Sequence, residues 1–303
     1  MIGKIFKIIG LILGGLVGLI AIAALAIYII SERQLNQTYS APVVQLTIPS
    51  DAASIERGRH LATAVSVCVD CHGPNLAGGV VVDDPMIGRI VGPNITRGEN
   101  GFGKTLSDED MARVIRYGVL PGGKSVRVMP SDDYVGLSDA DLVAIVAYVR
   151  SLPPVDTHPD PSYFGPLGRL LFALGQLPIM IAERIKPEDH PTQFPEMNVN
   201  GEYGQYLAKI AGCMGCHNPK LSGGKIFGAP PDWPEAANLT PSGELAKFNE
   251  AGFMNTVRTC VNPYKRTLAK EMPCKSYENM TDDELKALWS YISKVPATPY
   301  GQH

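Results

Sequence analysis

The chain has 303 residues, enough for two domains of ordinary size, and its formal net charge of -3 argues against nucleic acid as a partner. Apolar content is ordinary at 45%, whereas 31 glycines and 25 prolines make up nearly a fifth of the chain, so long loops are expected.

Ile8 to Ile30 is an uncharged run of 23 residues. At about 1.5 Å rise per residue it can cross a hydrocarbon core of about 30 Å. Lys4 and Lys7 precede it and only Arg33 follows closely, so the positive-inside rule puts the N-terminus in the cytoplasm and all that follows on the outer, periplasmic face of the inner membrane. Ala21-Ile22-Ala23 resembles a signal-peptide cleavage site, but the stretch stays apolar through Tyr28-Ile29-Ile30, where a cleavable signal turns polar. Gly10, Gly14 and Gly18 share one helix face, the small-xxx-small pattern that admits a second membrane helix. A proline-containing tether over 34–52 follows.

A helical pattern from Ser54 through Leu61 leads into Cys68-Val69-Asp70-Cys71-His72, and Glu202 to Ala211 leads in the same way into Cys213-Met214-Gly215-Cys216-His217. Cys-x-x-Cys-His is the attachment signal for c-type haem: two cysteines three apart reach the two vinyl groups of one porphyrin, and the histidine beside them meets the iron. A thioredoxin-like redox pair or half a zinc site would need a βαβ pattern or a second Cys-x-x-Cys at zinc spacing, and neither accompanies these motifs. The expected cofactor is two covalently bound haem c.

The chain then repeats itself. Gly58-Arg59-His60-Leu61-Ala62 parallels Gly204-Gln205-Tyr206-Leu207-Ala208, with one residue of slippage before the cysteines. Leu76-Ala77-Gly78-Gly79 matches Leu221-Ser222-Gly223-Gly224, Asn94-Ile95-Thr96 matches Asn238-Leu239-Thr240, and Met129-Pro130 matches Met272-Pro273. Middle helices start at Ser107 and Asn249. Closing helices start at Ser138-x-x-Asp141 and Thr281-x-x-Glu284, both read as capping boxes. Their apolar residues, Leu142, Ile145, Val146, Val149 and Leu285, Leu288, Trp289, Ile292, fall at i, i+3, i+4, i+7. Prolines end them.

These residues carry a resemblance to class I c-type cytochromes, and more narrowly to the membrane-bound cytochrome c subunits that serve alcohol, aldehyde and gluconate dehydrogenases. The sequence departs from those subunits in having two haem motifs instead of three and its anchor at the N-terminus. The fold implied is mainly α, an N-terminal transmembrane helix followed by two tandem class I cytochrome c domains. Expected boundaries are anchor 1–33, tether 34–52, first domain 53–154, linker 155–198 and second domain 199–303.

The resemblance implies His72 and His217 as proximal iron ligands and Met129 and Met272 as distal ones. The spacing agrees: each methionine follows its first cysteine, Cys68 or Cys213, by about 60 residues, on a proline-marked loop between the last two helices. Pro93, just before Asn94, is placed to offer its carbonyl to the ring N–H of His72, whereas the second copy has Ala237 there and its role stays open. Arg116 and Arg258, at matching places on the middle helices, are candidates for haem propionates, the alternative being ordinary surface charges. His60, His158, His190 and His303 fall outside the ligand pattern and read as packing or surface residues.

Cys260 and Cys274 occur only in the second copy, opposite Gly118 and Ser131, and flank the loop that ends in Met272. In an oxidising compartment such a pair suggests a disulfide, with free thiols or a redox-sensing pair as alternatives. Between the domains, Tyr163 to Ala182 is apolar with Arg169 its only charge and Pro178 interrupting it, a poor membrane span. It reads either as plain interdomain core or as a helix packed across the domains or lying on a membrane or partner surface.

The expected function is one-electron relay, without catalysis, between a quinol-oxidising complex or dehydrogenase and an oxidase, reaction centre or soluble cytochrome. The alternative is a dihaem enzyme of peroxidase or thiosulfate-oxidising type, which needs an open distal position that two matching Met-Pro loops argue against.

Overall fold

The computed structural model describes residues 2–158, 160–229 and 232–302. The apolar N-terminal run forms α1 (Ile2–Leu35), one helix of 34 residues that is long and apolar enough to cross a membrane. Gly10, Gly14 and Gly18 lie open along it. Ser31 and Leu35 at its end are buried, and the residues that follow do not hang free as a tether. Tyr39 donates its amide to the carbonyl of Gly123 at 2.8 Å, and Val44, Leu46 and Ile48 pack on the first domain. Those three alternate with exposed Val43, Gln45 and Thr47, the period of an extended chain with one face turned inward.

The first domain contains α2 (Ala52–His60), α3 (Cys68–His72), the hairpin β1 (Gly79–Asp84) and β2 (Gly88–Gly92), α4 (Phe102–Thr105), α5 (Asp108–Tyr117), α6 (Ser131–Tyr134) and α7 (Asp139–Ser151). In the linker, β3 (Tyr163–Phe164) pairs antiparallel with β2 and is followed by α8 (Pro166–Ala173). The second domain repeats the helical plan in α9 (Gly201–Ile210), α10 (Cys213–His217), α11 (Glu250–Thr259), α12 (Cys274–Tyr277) and α13 (Asp282–Ile292).

The one-residue slippage before the first haem motif has a local cause. Leu61–Val65 continues α2 as a π-helical turn, with the amide of Ser66 bonded to the carbonyl of Leu61, whereas Ala211 bonds to Leu207 in ordinary α register. A π turn absorbs one extra residue without moving the flanking helix. Upstream of it the copies superimpose in role: a Cβ at Gly58 would lie 1.8 Å from the carbonyl oxygen of Ala144, and one at Gly204 would lie 1.9 Å from that of Ala287. Only glycine lets the first helix cross the closing helix so closely.

One continuous core joins the domains, with Leu61, Leu142, Ile145 and Val146 from the first and Leu207, Leu285, Leu288 and Ile292 from the second. Over it lies a crossed polar network. Arg57 binds Asp141 of its own domain (2.9 Å) and Glu284 of the other (3.4 Å). His60 Nε2 meets Glu284 at 2.8 Å, and Tyr206, opposite His60 in the repeat, donates its hydroxyl to Asp141 at 2.6 Å. The cap acid of each closing helix is thus bound by the other domain's first helix.

This crossing corrects the expected capping box at Ser138. Thr281 and Glu284 form the full box, but Asp141 does not reach back to the amide of Ser138. Its carboxylate is engaged by Arg57 and Tyr206, and the Tyr206 hydroxyl oxygen accepts that amide instead.

Burial opposes the charge on Glu284, but the His60 hydrogen bond, the Thr281 amide and the charges of His60 and Arg57 outweigh it and hold its carboxyl below the usual range. A depressed acid contributes stability above its unfolded value, about 4.3, that is lost as pH falls through the lower folded value. The urea midpoint of the haem-loaded chain is therefore expected to fall steeply below about pH 4. Glu284→Gln should remove part of that drop. An unchanged acid limb in the variant would show that Glu284 is not among the linked groups.

Candidate haem attachment sites

Each Cys-x-x-Cys-His motif is a single helical turn entered through a left-handed residue, Val67 (φ 41°) before α3 and Gly212 (φ 72°) before α10. His72 donates its Nδ1–H to the carbonyl of Pro93 at 2.8 Å, and His217 donates its own to Ala237 at 2.7 Å. The acceptor is a backbone carbonyl, so proline is not required and the second copy keeps the bond with alanine. Burial pushes both imidazoles below their ordinary value against the pull of the carbonyl bond. Neutral rings with Nδ1 protonated leave Nε2 as a lone-pair donor. Burial, first among the causes, also pushes the thiols of Cys68 and Cys213 up to about 12.

The Asn-x-Thr runs fasten this region to the chain beyond the closing helix. Asn94 Nδ2 donates to the carbonyl of Val155 (2.7 Å) and Asn238 Nδ2 to that of Thr298 (2.8 Å). Thr96 and Thr240 each accept the amide of that same residue at 3.1 Å.

Met129 and Met272 are half-buried against the core, immediately ahead of α6 and α12. Tyrosines that the motifs and spacings did not single out lie five residues beyond them. Tyr134 donates its hydroxyl to the carbonyl of Ser66 and Tyr277 donates its own to that of Ala211, each tying the methionine loop to the end of the helix that leads into the haem motif. Their signal in the sequence is Met-Pro-x-x-x-Tyr at identical spacing in both copies.

The two loops are secured differently. In the second domain Cys260 and Cys274 are bonded, with Cα atoms 5.7 Å apart, while the four motif cysteines are unpaired. In the first domain Ser131 donates its hydroxyl to the carbonyl of Val114, and the linker runs alongside, with Ala182 donating its amide to Ser125 Oγ at 3.0 Å and Val128 to Ile179 at 3.3 Å. A bridge closing a loop of this size is worth about 3 kcal/mol by chain entropy. Replacing both cysteines by serine is expected to lower stability by about that amount, read as a shift in urea midpoint, and to loosen the second loop only.

Arg116 and Arg258 reach the start of the closing helix. Arg116 Nη2 donates to the carbonyl of Leu137 (3.1 Å) and to Asp139 (2.7 Å), and Arg258 Nη2 donates to Met280 (3.0 Å) and Asp282 (2.7 Å). In both, Nε is buried without a partner. Of the other histidines, His60 meets Glu284, His190 Nδ1 meets the carbonyl of Val135 at 2.9 Å and His158 meets Asn100. His303 lies outside the described residues.

Each attachment motif is touched from across the domain interface. Ser276 on α12 donates its hydroxyl to Asp70, inside the first motif, at 2.7 Å. Reciprocally, Asp133 on α6 binds Lys209 at 3.1 Å, and one of its oxygens lies 3.4 Å from where a Cβ would stand on Gly215, inside the second motif. Burial raises the carboxyl of Asp133 even against the Lys209 charge. The helix after each methionine thus abuts the other domain's attachment site.

Residues 53–149 match the family model for "Cytochrome C oxidase, cbb3-type, subunit III", and residues 201–296 match the model for "Cytochrome c". Both halves are cytochrome c domains. Relatives of the two cytochrome c domains include the alcohol dehydrogenase (quinone) cytochrome c subunit of Gluconobacter oxydans, 29% identical over 84% of this chain and 57% of that protein. The fructose dehydrogenase cytochrome subunit of Gluconobacter japonicus is 30% identical over 84% and 56%, and the alcohol dehydrogenase (quinone) cytochrome c subunit of Gluconacetobacter polyoxogenes 27% over 89% and 64%. The chain spans little more than half the length of the first two relatives. Covalently bound haem c and electron transfer follow from the cytochrome c fold, and the donors present fit that group: paired thiols on one turn, an imidazole with Nε2 free, and a buried, unpartnered guanidinium Nε.

Proposed function

We propose that the protein is a membrane-anchored dihaem electron relay, with its haem domains on the outer face of the cytoplasmic membrane. The observation that carries this reading is the crossed interface, in which Ser276 and Asp133 bring each methionine loop against the other attachment motif. Bound haem supplies a one-electron couple at each site. Cys68, Cys71, Cys213 and Cys216 would hold the two groups, and His72 and His217, oriented by the carbonyls of Pro93 and Ala237, would offer Nε2 to the irons. Met129 and Met272 would supply a thioether to each iron, which would leave no open position for substrate and would raise the potential. Arg116 and Arg258 offer their unpartnered Nε–H to propionates.

The donor is a dehydrogenase, in keeping with the relatives' names, or a quinol-oxidising complex, and the electrons pass on to an oxidase, a reaction centre or a soluble cytochrome. Purification in mild detergent followed by mass spectrometry and stopped-flow reduction tests this. A co-purifying dehydrogenase whose substrate reduces both haems is the expected result. Isolation of a lone chain that turns over peroxide, with no donor able to reduce it, would replace the relay by the enzyme reading.

A further inference from the structure

The linker helix α8 is apolar on two faces, and packing accounts for only one. Gly168 and Phe172 point inward, Gly168 against the carbonyl of Ile87 and Phe172 in a small core with Leu35, Ile179 and Met180. The other face carries Leu167 and half-buried Leu170 and Leu171, with Leu174 just past the helix end, at i, i+3, i+4, i+7 from Leu167 onward. Leu167 is 37% exposed and Leu174 64%, and Met86 (53%) and Tyr163 (47%) extend the patch through the β1–β2 turn and β3. The amides of Leu167 and Gly168 both donate to the carbonyl of Met86, so these residues form one surface.

The position of α8 says what covers it. Its one charged residue, Arg169, is spent on the end of α1: Nη2 meets Glu32 at 2.8 Å, Nη1 donates to Ser31 Oγ at 2.9 Å, and the guanidinium stands 4.6 Å over the ring of Tyr28. Tyr28 to Glu32 is the turn at which the apolar run of α1 ends, so α8 sits level with the boundary between acyl chains and headgroups. A tyrosine at that level and an outward leucine stripe beside it are features of a helix lying in the membrane interface, with its apolar face sunk about 5–10 Å.

We propose that α8, with Met86 and Tyr163, is a second membrane contact: an interfacial platform that lies on the lipid surface beside α1. This rests on α1 being a membrane anchor. With α1 alone the haem domains could swivel about one helix. Two contacts joined by the Arg169–Glu32 latch fix the first domain's height and face relative to the bilayer, and through the shared core the second domain's as well.

The test uses the full haem-loaded chain in lipid nanodiscs, with single cysteines spin-labelled at Leu174 and Leu167, at Ile20 as a lipid reference and at Glu250 as an aqueous one. Accessibility to oxygen and to a water-soluble nickel chelate is measured at each, and the haem spectrum reports folding. The expected result is a ratio of oxygen to nickel accessibility at 174 and 167 that approaches the value at 20 and exceeds that at 250. Ratios at 174 and 167 equal to that at 250, with 20 still lipidic, overturn the platform while leaving the anchor standing. Low accessibility to both reagents there means coverage by protein and overturns it too. An aqueous ratio at 20 removes the anchor and the platform together.

Discussion

Met272→Ala is expected to turn one of two low-spin haem signals high-spin and to leave the other unchanged, with carbon monoxide binding to half the haem. Met129→Ala should do the same in the other domain. Each methionine stands half-buried ahead of a short helix whose tyrosine is bonded to the helix leading into the haem motif. Alanine removes the thioether without touching that bond, so the loop keeps its place while the iron loses the ligand proposed for it. Loss of the methionine also lowers the potential of that site, because His-Met ligation raises it. The two variants should therefore shift different waves of a potentiometric titration. Two unchanged low-spin signals in either variant would refute the assignment of its methionine.

Much of this was written in the sequence because a haem motif is a local pattern of reactive side chains, and because duplication supplies its own control. The paired landmarks, from Gly58 and Gly204 to Met129 and Met272, each occupy the same structural role in both copies. What escaped was set by contacts between the copies. Asp141 and Glu284 read as equivalent cap acids, but only the structure shows Asp141 drawn away by Arg57 and Tyr206. The prolines and polar residues of the tether say nothing of what it packs on, and the alternation of Val44, Leu46 and Ile48 is too short to stand out. The second carbonyl, from Ala237, stays open in the sequence for another reason. A backbone group leaves no trace in residue identity, and proline in the first copy suggested a requirement that does not exist.

The crossed network at the interface sets the other large expected effect, that of Arg57→Ala. Its guanidinium is the cation between two nearly buried carboxylates, Asp141 at 9% and Glu284 at 5% side-chain exposure, contributed by different domains. Removing it leaves Tyr206 on Asp141 and His60 on Glu284, with no guanidinium on either acid. Breaking a buried ion pair by deleting one partner costs about 3–5 kcal/mol, and the 22% exposure of Arg57 places this one toward the lower end. The loss should appear as a lower urea midpoint and as faster hydrogen exchange in α2 and α13 together, because the two domains share one core. A triple variant, Arg57→Met with Asp141→Leu and Glu284→Gln, separates charge from packing: it removes the stranded charges and should recover most of the loss. If Arg57→Ala shifts stability by less than about 1 kcal/mol, the value of an exposed pair, the network does not hold the domains together and their pairing rests on the apolar core alone.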